Sequence, residues 1–351
     1  MIKVAGLAVN IRGELSKMAK KREARDTETA IVKFLLNNKA LILLVIAFAS
    51  SIVITNGASL GAYNRTSLLR QIPAYAIMAI GLTVVFATGQ MDMSAGSLLS
   101  LCTVMYAKWS FVLPIPLAVI CVIVLGAFVS MCTSSVLRAF NLNAFILTLA
   151  ASQVIEGISG QITGGKNISG LSDAAKFLGQ RTIESPVMHI PVSFIVALVV
   201  ILIVAGILNY THFGRHLLAT GGNLEAAKLS GIKINFIRIM VFVILGICAG
   251  ITSVLLTGRL GMGSPGAGGS YTLDCIAAVI IGGTTMAGGK AKVGGSLFGV
   301  CLILVINNLL TLQGVSTYWT MVAKGLIIAV AIILDAVSEK FFQAQSAKRT
   351  A

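Results

Sequence analysis

Charge is scarce in this chain: 11% of its 351 residues are Asp, Glu, Lys or Arg, against 56% that are hydrophobic. Such a composition, with a mean hydropathy of +0.93, excludes a soluble globule with one core under a charged surface. Histidine is nearly absent. His189, His212 and His216 have no acid at ligand spacing and no HExxH motif, which argues against a metal-dependent hydrolase. GxxxxGK(S/T) is missing, so nucleotide hydrolysis is not written into the chain. All six cysteines lie in or beside apolar runs without CxxC spacing, and they read as small packing residues. At 7%, aromatics are too few for a pathway built around an aromatic or lipid-soluble cargo.

What the chain does have is long apolar runs. Each crossing of about 30 Å of hydrocarbon takes roughly 20 apolar residues, and candidate stretches recur from Ala40 almost to the C-terminus. About ten are expected, near 40–56, 71–89, 94–110, 114–137, 143–163, 190–210, 235–258, 271–286, 294–313 and 317–338. The runs are continuous rather than alternating, so the fold class is an all-α integral membrane protein and not a barrel. No cleavable leader is visible before the first run, which should therefore stay as an anchor.

The formal charge of +15 sits in connectors and tails. That placement does not call for nucleic acid. With the N-terminus cytoplasmic, Arg138, Arg215, Lys228, Lys233, Arg238, Lys290, Lys292, Lys340, Lys348 and Arg349 all fall inside, and the outer side is poorer in Lys and Arg. Trp109 and Trp319 then lie at outer ends, and 164–191 faces outward. Residues 1–39 form a basic segment, an interfacial amphipathic helix or a disordered tail; 40–338 form the transmembrane domain, and 339–351 a cytoplasmic tail.

Within the second half, 212–234 is the one long polar interruption. Ala226, Ala227, Leu229 and Ser230 followed by Gly231 suggest a short helix with a glycine stop, a docking element rather than a plain solvated loop. Two glycine-rich places, 88–96 and 282–295, also break the regular pattern. At a shift of 199 positions, windows 76–102 and 275–301 share Gly89/Gly288, Gly96/Gly295, Leu98/Leu297 and Cys102/Cys301, among others. Paired glycine-interrupted segments point to a transport path in repeat-built carriers, yet by the loop count these two run the same way across the membrane.

Asp92 is the sharpest single residue, because a carboxylate within a span costs at least about 2.5 kcal/mol unless it faces protein or water. Asp92 and Ser94 can cap the helix that starts near Ser94, contact a polar substrate, or serve an ion. Ser152, Glu156 and Ser159 share a helical face and suggest a polar, protein-facing stripe. Asn307 and Asn308 should look inward, bonding between helices or touching substrate. Asp274 suits a helix N-terminus, and Lys324 either snorkels or pairs with a buried acid. Asp92, Glu156 and Lys324 are thin provision for proton coupling, which favours external energy over an ion-coupled carrier.

Several of these segments together resemble the membrane subunits of ABC importers for sugars, in the ribose-type branch. The likeness runs from about 40 to 338 and is carried by Gly81–Ser97 (GLTVVFATGQMDMSAGS), Gly214–Ile232 (GRHLLATGGNLEAAKLSGI), Arg259, Tyr271–Gly289 (YTLDCIAAVIIGGTTMAGG), Asn307, Asn308 and Leu312–Val315. It implies a second permease copy, identical or closely related, a cytosolic ATPase carrying ATP and Mg, an extracytoplasmic sugar-binding protein, and no cofactor or catalysis on this chain. It also implies that Gly222, Asn223, Glu225, Ala226, Ala227, Lys228, Leu229, Ser230 and Gly231 form the coupling helix, and that Asp92, Ser94, Glu156, Asn307 and Asn308 are candidates for the pathway. A nucleoside importer of the same superfamily is the sibling reading. Glu156 stands where the family often has a basic residue, Gln90-Met91 replaces a more aliphatic pattern, and the N-terminal extension is unusual.

Overall fold

The computed structural model describes residues 38–184, 189–316, 318–327, 329–330 and 333. The expectations for 1–37 and for the C-terminal tail lie outside these residues. The chain is built from helices: α1 (Lys39–Ile54), α2 (Ala62–Phe86), α3 (Ala95–Trp109), α4 (Ile115–Ala139), α5 (Ala144–Thr163), α6 (Asp173–Gln180), α7 (Val192–Tyr210), α8 (His212–Gly222), α9 (Leu224–Leu229), α10 (Ile234–Leu260), α11 (Tyr271–Ile281) and α12 (Val293–Leu312). Residues 318–327 are helical as well. Six helices, α2, α4, α5, α7, α10 and α12, are long and apolar enough to cross a membrane, while α1 and α11 are shorter apolar helices.

Two of the expected boundaries move, each for a local reason. Helix α2 begins at Ala62 rather than near 71, because its first turns carry Asn64, Arg65, Thr66, Ser67, Arg70 and Gln71, which are polar yet helical. Its Pro73 sits inside the helix, where the ring withholds one backbone donor. Helix α11 stops at Ile281 rather than 286, because Gly283 takes φ +88°. The Gly283 amide then donates to the Ile280 carbonyl and the Thr284 amide to that of Val279, the double closure of a Schellman turn.

Helices α2 and α10 form the centre, with 72% and 67% of their apolar stretches buried, against 22%, 17% and 22% for α4, α5 and α7. The outer helices therefore make the wall, and large side chains such as Val124, Phe128, Ile146 and Leu202 project from it. Between α4 and α10 the backbones touch at Gly126 and Gly246, where a Cβ on either would strike the other's carbonyl. Small residues allow this approach, and dispersion over the close-packed faces is what holds helices together in lipid.

One end of the molecule is closed by α6 and the short antiparallel pair β1 (Thr182–Glu184) and β2 (His189–Pro191). Ser172 caps α6 by accepting from the Ala175 amide, and Tyr106 donates to the Ala175 carbonyl at 3.0 Å. This lid is the 164–191 segment that charge bias assigns to the outside. Helices α2 and α11 run side by side in one direction, since Tyr75 midway along α2 meets Asp274 in the first turn of α11, and Gly89 meets Gly288 beyond their ends. Both pairs are related by the 199 shift, the first just before the two windows and the second within them, so any relation between those windows is not an inverted one.

Candidate coupling element and pathway residues

Helices α8 and α9 form a projection with its own capping. Thr211 Oγ1 accepts from the Gly214 amide at 3.2 Å and starts α8, and Asn223 Oδ1 accepts from the Ala226 amide at 3.0 Å and starts α9. Gly231, at φ +78°, ends the projection, with its amide donating to Lys228 and that of Ile232 to Ala227. Leu217 and Ala227 are buried and root the pair in the body of the protein. Gly222, Asn223, Glu225, Ala226, Lys228, Ser230 and Gly231 are exposed, and Leu229 is 89% exposed. Ala227 is therefore an inward anchor, and Leu229 is the apolar side chain offered outward. Lys176 pairs with Asp173 and Lys324 with Asp274, but Glu225 and Lys228 are not joined.

The root of this projection sits against both non-helical breaks, 87–94 and 282–292. A Cβ on Gly221 would collide with the Ala87 carbonyl and the Gly289 amide, and one on Gly288 would press on Gly89 and Gly221. Gly289 donates its amide to the Ala87 carbonyl at 2.9 Å. Three segments that are far apart in sequence thus meet backbone to backbone. Side chains of any size would separate them, and the freed amide would lose its partner where water is scarce.

Asp92 lies in the first break and is 1% exposed. Its Oδ1 accepts from the Ser94 amide at 2.7 Å and from the Ser94 hydroxyl at 2.6 Å, which closes a local turn just before α3; no side chain caps that helix, so the expected cap is not formed. Neighbouring bonds fix the break from two sides: the Met93 amide donates to Thr148 Oγ1 of α5, and the Gly96 amide to Thr272 Oγ1 of α11. Ser97 and Ser152 bond at 3.0 Å, which draws α5 against α3. Gln90, which with Met91 replaces a more aliphatic pattern, is buried with its Oε1 unpartnered.

Glu156 is elsewhere. On α5, Ile155 and Ser159 are buried and Ser152 is half-buried, whereas Gln153, Glu156, Gly157 and Gln161 are exposed. The polar stripe is real, but its Glu156 edge faces away from this chain. Asn308 is held by Asn64 through a reciprocal amide pair of 3.0 and 2.6 Å, and Asn307 beside it has a buried Oδ1 without a partner. Lys324 does pair with a buried acid, Asp274, at 2.9 Å, and Tyr75 stacks on Tyr271 beside them with ring centroids 4.0 Å apart. The structure thus brings Asp92 and Ser94 together, keeps Glu156 on an outer face, and places Asn307 and Asn308 at the far end of α12. Asn64, Thr148 and Thr272 were missed; each is a single polar residue whose partner lies 55 or more positions away.

Membrane-spanning helices, backbone breaks held by internal hydrogen bonds, and a capped projection rooted on those breaks describe a polytopic membrane permease. Among the described residues no three His, Cys, Asp or Glu side chains gather as a metal site. The chain belongs to the family of branched-chain amino acid transport system permease components, whose pattern matches residues 64–332. It is 36% identical over 307 residues to the ribose import permease protein RbsC of Haemophilus influenzae, covering 87% of this chain and 94% of that one. It is 36% identical to the Bacillus subtilis protein of the same name, over 80% of this chain and 87% of that one. To the xylose transport system permease protein XylH of Escherichia coli it is 30% identical, over 82% and 88%. No solved structure matches the chain.

The two bonds to Ser94 make a charge-neutral replacement at Asp92 tolerable. Asp92→Asn keeps an acceptor at Oδ1 and should leave thermal stability in detergent nearly unchanged, whereas Asp92→Ala should cost about 1 kcal/mol. Equal losses for both variants in a thermal unfolding series would point to a role for the charge itself.

Proposed function

We propose that this chain is the membrane-spanning subunit of an ATP-driven importer for a pentose or a closely related sugar, working beside a separate cytosolic ATPase and an extracytoplasmic binding protein. The α8–α9 projection carries this reading: a pair of capped helices that offers Leu229 outward and is rooted at Gly221 on the two breaks. A carrier driven by ions has no need of such a surface. The ribose and xylose permeases among the relatives support the choice of cargo. In this reading the chain crosses the membrane about ten times, with α1, α3, α11 and the helical residues from 318 onward joining the six longer spans. Both termini and α8–α9 lie in the cytoplasm, and ATP and Mg belong to the ATPase.

The path runs between two copies of the chain. Gln153, Glu156, Gly157 and Gln161 are exposed on one face of α5, and nothing approaches Gly157 or Gly160 within 4 Å. Left against lipid, the carboxylate alone would cost at least about 2.5 kcal/mol. A second copy covers the stripe, and the glycines admit close contact. Cysteine placed at Gly157 should cross-link two copies under oxidation, while cysteine at Val124 on α4 should not. Equal cross-linking at both positions would remove α5 from the interface.

The decisive functional test is uptake by vesicles that contain the permease, the ATPase that copurifies with it and the binding protein. Labelled ribose or xylose should accumulate only with all three components and ATP, and Leu229→Asp should abolish accumulation and copurification while leaving membrane insertion intact. Uptake driven by an ion gradient in vesicles without the ATPase would overturn the reading.

A further inference from the structure

Helix α2 sets Tyr63, Ser67 and Gln71 on one face at intervals of four residues, and the last turns of α12 carry Asn307, Asn308 and Thr311. The two rows line a common cavity of about 410 Å³, a volume within the range of about 300–1,000 Å³ found for small-molecule sites. Among the described residues no charged side chain lines it. Carboxamides and hydroxyls supply its polar surface, and Tyr63 gives it an aromatic ring.

These groups divide into wall and contact. Asn64 donates to the Ser59 carbonyl at 2.8 Å and exchanges amide bonds with Asn308, so this pair fixes the spacing of α2 and α12. Asn307 lines the same cavity with an Oδ1 that bonds nothing in the protein. Gln71 reaches Ser67 only at 3.4 Å, beyond the usual length of such a bond. Tyr63 is 90% exposed, so its ring covers the cavity without supporting the core.

We infer that this cavity is a subsite for a neutral sugar, with Asn307 and Gln71 bonding its hydroxyls and the Tyr63 ring lying against its C–H face. A sugar hydroxyl both donates and accepts, and so does a carboxamide, whereas an ion would find no opposite charge among these groups. An apolar cargo would cover the same groups and leave them unpaired. A second cavity of about 400 Å³ shares Tyr63 and Ser67 and adds Arg70 and Arg259, which only donate. A sugar acid would settle there, so it is the discriminating probe. The choice of a pentose, and of this end as the outer one, rests on the proposed function. In that reading the subsite receives sugar released by the binding protein, at the opposite end of α2 from Ala87 and about 36 Å from it.

The test uses the full-length permease in nanodiscs, without ATPase or binding protein. Saturation-transfer NMR should detect ribose and xylose on the wild-type chain. Tyr63→Ala and Asn307→Ala should each weaken sugar binding about fivefold, the loss of one contact of ordinary strength. Their thermal transitions should not move, because the Tyr63 ring is exposed and the Asn307 Oδ1 has no protein partner to lose. Ribonate and leucine should compete less well than ribose. No transfer to either sugar, unchanged affinity in both variants, or tighter competition by ribonate or by leucine would each overturn the proposal. The binding measurement is independent of energy coupling. Uptake driven by ATP in a chain that fails it would remove the subsite and leave the importer reading, and sugar binding here in a chain whose uptake needs no ATP would do the reverse.

Discussion

The constraint on which the rest depends is the meeting of three backbone segments at Ala87, Gly221 and Gly289. A helix that stops inside a membrane leaves amides and carbonyls that lipid cannot satisfy. Here the Ala87 carbonyl at the end of α2 is satisfied by the Gly289 amide of the second break, and the third segment packs where no Cβ is present. Because the third segment is the root of α8 and α9, backbone contact joins the projection that carries the exposed Leu229 to the two breaks. No compressible layer of side chains lies between.

The remaining polar groups serve the same economy. Asp92 and Ser94 close the first break, Thr83 and Ser296 bond at 2.8 Å between α2 and α12, and Asn64 and Asn308 exchange amide bonds near the other end of that pair. Lys324 and Asp274 tie the last described helix to α11. Breaking such a pair strands a buried charge, so these contacts fix which helices are neighbours even where they add little net stability. Of the wall helices, α5 is held by Thr148 and Ser152, and the large outward side chains of all three are apolar. Glu156 and its neighbours on α5 are the departure, which is why that face reads as an interface.

Much of the fold was legible in the sequence, because hydrocarbon imposes a length and an apolar composition on each crossing. The ends of α3, α4, α5, α7, α10 and α12 lie within two residues of where the hydropathy pattern puts them. The start of α2 was not legible, since Asn64 to Gln71 are polar and hydropathy does not see a helix that has left the core of the membrane. In the projection, Gly231 announced the stop of α9, whereas the Asn223 cap at its start was not read from the sequence. Which side of α9 faces out was not announced: Ala227 roots the helix and Leu229 projects, a matter settled by α8, which lies before it in the chain. The bond from Asp92 to Ser94 was legible because its partner is two residues away, although it closes a turn and does not cap α3. Asn308 could not be paired with Asn64, because such partners are chosen by tertiary packing and leave no local signal.

The central claim is that motion at the docking surface reaches the breaks through the glycine contact. In vesicles containing permease, ATPase and binding protein, the direct measurement is sugar imported per ATP hydrolysed, for Gly221→Ala against Gly222→Ala. A Cβ at Gly222 meets nothing nearer than the Gly289 Cα at 3.9 Å, whereas one at Gly221 has no room. The account predicts that Gly221→Ala lowers the ratio at least about tenfold while ATP hydrolysis continues, a coupling loss of about 1.4 kcal/mol, and that Gly222→Ala leaves it unchanged. An unaltered ratio in a well-folded Gly221→Ala permease would contradict it.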